Sequence, residues 1–252
     1  RYRDAPMLNV TARQELMKTI VDTINVVVEE ARLDFKENGL EIRVVDPSHV
    51  AMIQMEVDSA AFDTWNVDEV ELGLEMKKLR DMVSLAGAGD LVQFNYSDET
   101  GNVTMNIGRI DRNIRPLDNS TLNPPNLPTL NLPCEVKISG ADLGQSFRAA
   151  MQVGDLVNLT ADPDKFVVSV SGTTDSVIVG YDKADLTSIT CEGSTRSQYS
   201  LTYLVPLAKV FAPLGDVTLQ FGENLPLRLT FEFDNGAGSV EYFLAPRVEG
   251  DF

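Results

Sequence analysis

Apolar residues recur every three or four positions in four segments of the chain, a spacing typical of amphipathic helices with one buried face. The four sets are Leu16, Met17, Ile20, Val21 and Ile24; Met76, Leu79, Met82 and Val83; Leu143, Phe147 and Met151; and Leu204, Leu207, Ala208 and Phe211. The pattern predicts helices over residues 11–24, 74–85, 141–153 and 200–213. These segments follow one another at nearly equal intervals.

A short join comes after each predicted helix. Gly89-Asp90, Gly154-Asp155 and Gly215-Asp216 follow the second, third and fourth helices, and Glu30 occupies the corresponding place after the first. Self-similarity at a fixed spacing indicates an internal repeat, here of four units. We expect each glycine to end its helix by adopting the left-handed conformation.

Runs of alternating or β-branched residues follow the joins and are separated by residues that favour tight turns. The turns are Asn38-Gly39, residues 98–102 and Asp162-Pro163-Asp164. The strands that they connect are predicted over residues 33–35 and 40–45, 92–96 and 103–107, and 156–160 and 166–170. Each unit therefore contains one helix with several antiparallel strands, which is an α+β fold.

Residues 116–133 interrupt this rhythm and contain five of the twelve prolines. Proline cannot donate to a sheet ladder or lie inside a helix, so an extended surface connector is predicted here. Its leucines, expected to tuck inward, are Leu122, Leu127, Leu130 and Leu132. The predicted organisation is an N-terminal domain over residues 1–117, a connector over 118–134 and a C-terminal domain over 135–252, with two helix-and-strand units in each domain.

The composition is that of an ordinary globular protein, with 43% hydrophobic and 23% charged residues among 252, which excludes a disordered chain. No apolar run of about 18 residues is present, so no transmembrane helix is expected. Residues 1–6 lack the apolar stretch of a secretory signal and are set aside in predicting the fold. Cys134 and Cys191 form no C-x-x-C; we expect neither a disulfide framework nor a zinc ribbon, and a reducing, intracellular setting fits best.

The sequence offers no complete catalytic or metal-binding motif. His49 is the single histidine, which leaves no histidine-rich metal site. Gly87-Ala88-Gly89 begins like a dinucleotide-binding loop, but Val92 replaces the third glycine. Asp162-Pro163-Asp164 begins like a calcium loop, yet Val167 replaces the required glycine. We therefore expect no catalytic residue, no metal, no cofactor and no enzyme activity.

Charge is distributed unevenly between the helices and the rest of the chain. The net charge of −17 argues against a conventional basic surface for nucleic acid. The predicted helices nevertheless contain seven basic and five acidic residues, which leaves +2 on the helices and −19 elsewhere. Charge alone favours simple solvated helix faces. The alternative is that all four helices lie on one side and face a polyanion.

Two longer segments carry a family signature. Residues 46–55 read Asp-Pro-Ser-His-Val-Ala-Met-Ile-Gln-Met, and residues 241–249 read Glu-Tyr-Phe-Leu-Ala-Pro-Arg-Val-Glu. Both resemble segments of the DNA sliding clamps of the proliferating cell nuclear antigen family, in particular its archaeal branch. The resemblance covers the chain from about Met7 to Glu249. It implies a ring of three subunits, each with two similar domains, with helices lining the hole and sheets outside.

The resemblance also implies a function in DNA replication and repair. Such a clamp encircles double-stranded DNA without reading its sequence, acts as a processivity factor for DNA polymerase, and docks the clamp loader and other proteins that carry a clamp-binding peptide motif. The DNA-facing residues implied are Lys18, Lys77, Lys78, Arg80, Arg148 and Lys209. The residues implied for the partner-peptide groove are Val45, His49, Val50, Met52, Leu127, Pro128, Pro226, Phe243, Ala245 and Pro246.

Natural proteins rarely leave sheet edges unpaired, and together with the ring of three subunits that the resemblance implies, this predicts a closed homotrimer. The joining strands are predicted over residues 109–117 of one subunit and 175–181 of its neighbour. The predicted interface residues are Arg109, Arg112 and Arg115 on the first strand, and Val177 and Val179 on the second.

Two alternatives remain at this point. One is a specialised clamp relative, such as a checkpoint-type clamp or one subunit of a heterotrimer, which would not form a trimer alone. The other is a β-rich enzyme that uses clustered carboxylates, which the missing glycine-rich, cysteine and histidine motifs disfavour. The expected location is intracellular, in the cytoplasm or nucleoid of an archaeon, or in the nucleus of a eukaryote.

Overall fold

The computed structural model describes residues 7–248 and has an α+β fold in which helices alternate with antiparallel strands. Residues 1–6 and Glu249, both mentioned above, lie outside the described residues. The helices are α1 (Gln14–Asn25), α2 (Met76–Val83), α3 (Gly140–Met151) and α4 (Leu201–Phe211). The strands are β1 (Met7–Arg13), β2 (Glu30–Lys36), β3 (Gly39–Val45), β4 (Ala51–Asp58), β5 (Thr64–Val67), β6 (Val70–Glu75), β7 (Leu91–Ser97), β8 (Asn102–Ile107), β9 (Ile110–Ile114), β10 (Cys134–Ser139), β11 (Leu156–Asp162), β12 (Lys165–Ser171), β13 (Ser176–Asp182), β14 (Ser188–Cys191), β15 (Thr195–Ser200), β16 (Asp216–Phe221), β17 (Leu227–Phe233) and β18 (Gly238–Leu244).

All four predicted helices and the three predicted hairpins are confirmed, with small shifts at their ends. The clearest shift is at α1, which was predicted from residue 11 and begins at Gln14. Thr11 and Arg13 instead pair with Gln93 and Leu91 of β7. Residues 11–13 therefore pair in the sheet although the apolar spacing predicted a helix there, and the helix begins where the pairing with β7 ends.

The joins lie where they were predicted, but the role predicted for their glycines is wrong. α2 and α4 are closed by Ser84 and Ala212, both in the right-handed helical conformation. Gly89 and Gly215 come several residues later, with φ angles of 78° and 102°, and Gly154 is not among the glycines with positive φ. Two of these glycines therefore permit turns before the next strand and do not cap the helices.

Four backbone hydrogen bonds give the repeat its structural basis. The first residue of each helix donates its N–H to the join that follows the other helix of its pair. The bonds run from Gln14 to the carbonyl of Asp90 (2.8 Å), Met76 to Glu29 (2.8 Å), Gly140 to Gly215 (2.7 Å) and Leu201 to Asp155 (2.7 Å). Each bond satisfies an N–H group that the start of a helix leaves unpaired. The helices are thereby linked as two pairs, α1 with α2 and α3 with α4.

The first compact unit contains α1 and α2 and comprises residues 7–47, 53–126 and 233–240 of the described chain. Its five-stranded sheet has the order β5-β1-β7-β8-β9, and a further run of strands has the order β4-β3-β2-β6. α1 contacts β1 and β7, whereas α2 contacts β6. Phe35 of β2 stacks on Phe94 of β7 with ring centroids 5.4 Å apart, so an aromatic contact joins the two sets of strands.

The second compact unit contains α3 and α4 and comprises residues 48–52, 127–232 and 241–248. It has a four-stranded sheet of order β13-β12-β11-β15 and a run of strands ordered β14-β10-β16-β17-β18. Phe166 and Phe221 pack at a tilt, with centroids 6.2 Å apart, and both are fully buried. At Gly140 a Cβ atom would lie 2.7 Å from the carbonyl oxygen of Phe211, so only glycine permits this approach of α3 to α4.

The connector has no regular strand, and its leucines are half-buried, as predicted. In the first unit, Leu117 donates its N–H to the Gly73 carbonyl at 2.8 Å, and Arg43 donates through Nη1 to the carbonyl of Pro125 at 3.3 Å. These contacts hold the first half of the connector along its own unit.

The two cysteines do not behave as predicted. Cys134 and Cys191 face each other on β10 and β14 and are joined as a disulfide. Their separation of 57 residues conceals this pairing, because sheet register and not sequence distance decides which side chains meet. Cysteine spacing therefore carries no argument about the cellular compartment of this protein.

Candidate functional site

The exposed face of α1 and α2 carries four of the cations predicted to face DNA, and each has a carboxylate neighbour. Nζ of Lys77 lies 2.9 Å from Oδ2 of Asp81, and Nζ of Lys78 lies 3.4 Å from Oε1 of Glu75. The ammonium of Lys77 lowers the pKa of Asp81 chiefly by donating a hydrogen bond to it. Both pairs are solvated, so each stabilises the fold only slightly.

Lys18 and Arg80 share a single carboxylate between the two helices. Nζ of Lys18 lies 2.6 Å from Oδ2 of Asp22, and Nε of Arg80 lies 3.8 Å from Oδ1 of the same side chain. All three side chains border a cavity of ≈ 240 Å³ whose apolar lining includes Val21 and Val83. The cationic groups of this helix pair are therefore partly neutralised by carboxylates of the same unit.

The exposed face of α3 and α4 is different. Arg148 and Lys209 are exposed and lie in the last turns of their helices. Among residues 7–248, no carboxylate forms an ion pair with either of them. A cation near a helix C-terminus is favoured by the helix dipole. These two groups are thus free to bind an external anion.

The net charge of +2 predicted for the helices is unchanged when the helix bounds of the structure are used. Arg13 and Glu75 now lie on strands, which leaves six basic and four acidic residues on the four helices. The helices still sum to +2, within a chain of −17.

The second half of the connector forms one side of a cavity of ≈ 330 Å³ in the second unit. Three predicted groove residues, Leu127, Pro128 and Phe243, line it together. The connector residues that complete this side are Thr129, Leu130 and Leu132. The connector and Phe243 of β18 therefore contribute apolar side chains to a shared depression.

Three polar side chains that also line this cavity, Gln220, Arg228 and Glu241, were missed in the sequence. Arg228 of β17 donates through Nε and Nη2 to Oε2 of Glu241 at 3.2 and 3.0 Å, and through Nη1 to Gln220. Gln220 and Arg228 are directly opposed in the sheet register. The alternation along β17, where Leu227 and Leu229 are buried, was the available signal that Arg228 faces the other way.

The remaining predicted groove residues are placed differently. The N–H of Ala245 donates to the carbonyl of Val50 at 2.9 Å, which brings the two signature segments together. Val45 belongs to the first unit. The residues that do not line the ≈ 330 Å³ cavity are Val45, His49, Val50, Met52, Pro226, Ala245 and Pro246. Their part in a groove stays a prediction.

The two strands predicted to join subunits each lie at the edge of a sheet. β9 ends the five-stranded sheet and β13 ends the four-stranded sheet. Each presents an exposed isoleucine that was overlooked: Ile110 is 46% exposed and Ile178 is 74% exposed. The predicted Val177 and Val179 are only half-exposed, because they alternate with Ile178 along β13.

The three predicted interface arginines do not share one environment. Arg109 and Arg115 are exposed, and Arg112 is half-buried. The guanidinium of Arg112 contributes to the lowered pKa of Asp81 on α2, after the larger contribution of Lys77. Arg112 therefore lies near the helices of its own unit as well as on the edge strand.

The described residues offer neither a metal centre nor a membrane span. Within residues 7–248, no group of three or more histidine, cysteine or acidic side chains is arranged to hold a metal ion. In the same part of the chain no helix has the length and apolar character needed to span a membrane.

Comparison with known proteins places the chain in a family. Residues 7–118 match the family model for the N-terminal domain of proliferating cell nuclear antigen. The DNA polymerase sliding clamp of Natronomonas pharaonis is 34% identical over 97% of this chain and 100% of its own length, and that of Methanosarcina barkeri is 33% identical with the same coverage. The structure of A. fulgidus PCNA bound to the C-terminal region of FEN-1 superposes with a TM-score of 0.91, at 31% identity over 97% of this chain and 100% of the other.

The chain belongs to the DNA polymerase sliding clamp family. Its resemblance to proliferating cell nuclear antigen, inferred from two short segments, is thereby confirmed, as is the α+β fold with two similar halves. The fold of the Thermococcus kodakaraensis PCNA crystal structure is also similar, with a TM-score of 0.88 at 20% identity. In this sliding clamp the helix faces, the connector cavity and the two sheet edges are the three candidate functional surfaces.

Proposed function

We propose that this sliding clamp forms a closed homotrimeric ring that encircles duplex DNA, holds DNA polymerase on its template and docks other replication and repair proteins. The observation that carries the proposal is the concentration of positive charge on four paired helices of an otherwise acidic chain of this family. With three subunits, the helices line the hole and the sheets form the outer surface. The acidic remainder repels DNA from the outside.

The proposed contact with DNA is electrostatic and independent of sequence. Lysine and arginine at the helix surfaces bind phosphate oxygens, which are the same for every base pair. A ring that holds DNA by such contacts slides without reading bases. The proposal includes no catalytic step and no cofactor, and it places the protein inside an archaeal cell, because the two similar clamps named above are archaeal.

The proposed ring closes by pairing β9 of one subunit with β13 of the next. Both strands end a sheet, and each exposes an isoleucine that would be buried on pairing. Arg109 and Arg115 are exposed beside β9 and are available to acidic groups of the neighbour.

The proposed docking site for partner peptides is the cavity between the connector and β18. Leu127, Pro128 and Phe243 supply apolar contacts there, and the connector is already extended, so a peptide can bind at little cost in ordering. The clamp of A. fulgidus, whose fold matches closely, has been solved with the C-terminal region of FEN-1 bound. Polymerase and clamp loader would use the same kind of peptide.

Topological retention on DNA tests the central proposal. The clamp is loaded by its clamp loader onto nicked circular DNA, and the bound fraction is measured before and after the circle is cut. We expect retention on the circle and rapid loss after cutting. Tight, sequence-dependent binding to a short duplex with free ends would contradict the proposal.

The assembly is tested by native mass. The parent should have three times the protomer mass of 27.7 kDa. Changing Arg109, Arg112 and Arg115 to glutamate should give monomers. The matched control changes Lys77, Lys78 and Arg80 to glutamate, which reverses the same number of charges on α2 and should leave the trimer intact. A trimer in both variants rejects the assigned edge.

The groove is tested by calorimetry with a polymerase-derived peptide. Leu127→Ala should weaken binding by about 1–3 kcal/mol, the usual range for a buried anchor contact. Leu122→Ala is the control, because Leu122 is also a half-buried connector leucine and does not line the cavity. Phe243→Ala should also weaken binding, with circular dichroism to monitor folding, since Phe243 is 6% exposed. Unchanged affinity in both Leu127→Ala and Phe243→Ala would place the groove elsewhere.

A further inference from the structure

Asp22 occupies an unusual position among the charged residues of the helices. In the described helices it is the one carboxylate that forms ion pairs with cations of two different helices, with Lys18 on α1 and with Arg80 on α2. Lys77, by comparison, pairs with Asp81 within one helix. Asp22 therefore influences both cations at the boundary between α1 and α2.

The exposure of these groups fits an internal counter-ion. The side chain of Asp22 is 25% exposed, whereas those of Lys18 and Arg80 are 61% and 60% exposed. The carboxylate is thus less exposed than the two cations it pairs with, and all three side chains border the same cavity. An anion in solvent therefore has more access to the two cations than to Asp22.

A DNA phosphate and Asp22 cannot both make full use of the same cations. A phosphate that binds Lys18 or Arg80 either displaces Asp22 or lies close enough to be repelled by it, and both effects reduce the gain in free energy. A cation that stays paired with Asp22 neutralises no phosphate, so binding releases fewer of the counter-ions condensed on the DNA. Arg148 and Lys209 carry no such penalty.

Resting on the proposed encirclement of DNA, we infer that Asp22 is an internal counter-ion that competes with phosphate for Lys18 and Arg80. The contact with DNA then falls mainly on Arg148 and Lys209 of the second unit. The helix surface of the first unit neither repels DNA strongly nor binds it strongly, which favours sliding over static binding.

The test measures fluorescence anisotropy of a short, mixed-sequence duplex titrated with the full-length trimer over a series of salt concentrations. Asp22→Asn should bind about three- to tenfold more tightly than the parent at low salt, and the slope of log K against log salt should steepen by about one unit. Glu99→Gln is the matched control, because it removes the same charge at an exposed hairpin turn with no ion pair among the described residues. It should change affinity far less.

A background without the two cations separates competition from general charge effects. In the double variant Lys18→Ala, Arg80→Ala, adding Asp22→Asn should give no gain beyond that of Glu99→Gln. Asp22→Ser is measured in parallel with Asp22→Asn, and native mass and thermal unfolding confirm assembly of each variant.

The inference is overturned if neither Asp22→Asn nor Asp22→Ser binds duplex more tightly than Glu99→Gln, or if the gain persists without Lys18 and Arg80. In the first case Asp22 would only tether α1 to α2, and in the second its charge would repel DNA independently of the two cations. Either result would leave the proposed function standing as long as the parent is retained on circular DNA. Loss of that retention in the parent would instead reject the proposed function itself.

Discussion

The two compact units are each built from two helix-and-strand repeats, and they differ in how their charges are arranged. Nine of the ten ion pairs among residues 7–248 lie in the first unit, and only the pair of Arg228 with Glu241 lies in the second. On the second helix pair, Arg148 and Lys209 have no carboxylate partner among those same residues. Similar helices can therefore present either neutralised or available cations, and net charge does not distinguish the two.

The difference in ion pairing does not imply a difference in the source of stability. Most of the ion pairs in the first unit are solvated, and exposed pairs contribute little. Both units bury aromatic side chains between their strands, Phe35 with Phe94 in the first and Phe166 with Phe221 in the second. We therefore expect apolar packing to dominate the stability of both.

Truncation of a core aromatic residue should have the largest effect and should be similar in the two units. Phe221→Ala and Phe94→Ala each should lower the free energy of unfolding by about 3–5 kcal/mol, because each leaves a cavity at a site that is at most 2% exposed. Chemical denaturation measures both. A loss below about 1 kcal/mol for Phe94→Ala alone would show that ion pairs, not packing, hold the first unit.

Removal of helix cations should affect DNA binding unequally. The double variant Arg148→Ala, Lys209→Ala should weaken binding to duplex about tenfold at low salt and flatten the slope of log K against log salt by about two units. The reason is that two cations without a carboxylate partner in the protein no longer contact phosphate. The matched double variant Lys77→Ala, Lys78→Ala should have a smaller effect, since each lysine already has a carboxylate partner. If both double variants lost the same affinity for duplex in a salt titration, the two helix pairs would not differ in how strongly they bind DNA.

Removal of the least exposed ion pair of the first unit should have a modest effect on stability. Arg32 donates to both carboxylate oxygens of Asp34, at 2.9 and 3.1 Å, and these side chains are 17% and 16% exposed. Arg32→Met, which also removes the weaker ion pair of Arg32 with Glu71 at 3.4 Å, should reduce the free energy of unfolding by about 0.5–1 kcal/mol, less at high salt. Arg228→Met, which breaks the more exposed pair of the second unit, is the comparison. A larger loss in Arg228→Met would reverse the expected order.

Mild acid should weaken the first unit slightly more than the second. Among residues 7–248, the carboxylates with a lowered pKa are Glu15, Glu41, Asp81 and Asp118, all in the first unit. Lys36 is the main cause for Glu41, and Lys77 for Asp81. A folded-state pKa below the unfolded value stabilises the protein above the ordinary carboxyl pKa of about 4, and this stabilisation is lost as the pH falls through the folded value.

Hydrogen exchange at neutral pH and below about pH 4, corrected for intrinsic rates, measures this effect. Protection in β3 should fall more than protection in β12. Glu41→Gln serves as the control variant, because it removes one of the shifted groups and should reduce the difference between the units. A greater loss of protection in β12 would contradict the assignment.

The features of this protein that are predictable from the sequence are those that a local signal specifies. The apolar period of α1 to α4 and the turn residues at Asn38-Gly39 depend on neighbours within a few positions, so helices and hairpins were predicted correctly. The repeated Gly-Asp joins indicated four helix-and-strand repeats. The signature segments, residues 46–55 and 241–249, indicated the family because each is a continuous run of residues that is readable without knowledge of the fold.

Local patterns along the chain specify the repeat, the fold class and the excess of cations on the helices. Which cations are neutralised depends on tertiary structure, because Asp22 meets Arg80 only when α1 packs beside α2. Tertiary structure likewise decided that Cys134 faces Cys191, that Arg228 lines the connector cavity, and that Ile178 projects from a sheet edge. Each of these facts depends on strand register or helix pairing between residues far apart in the chain, and a local pattern carries no information about such distances.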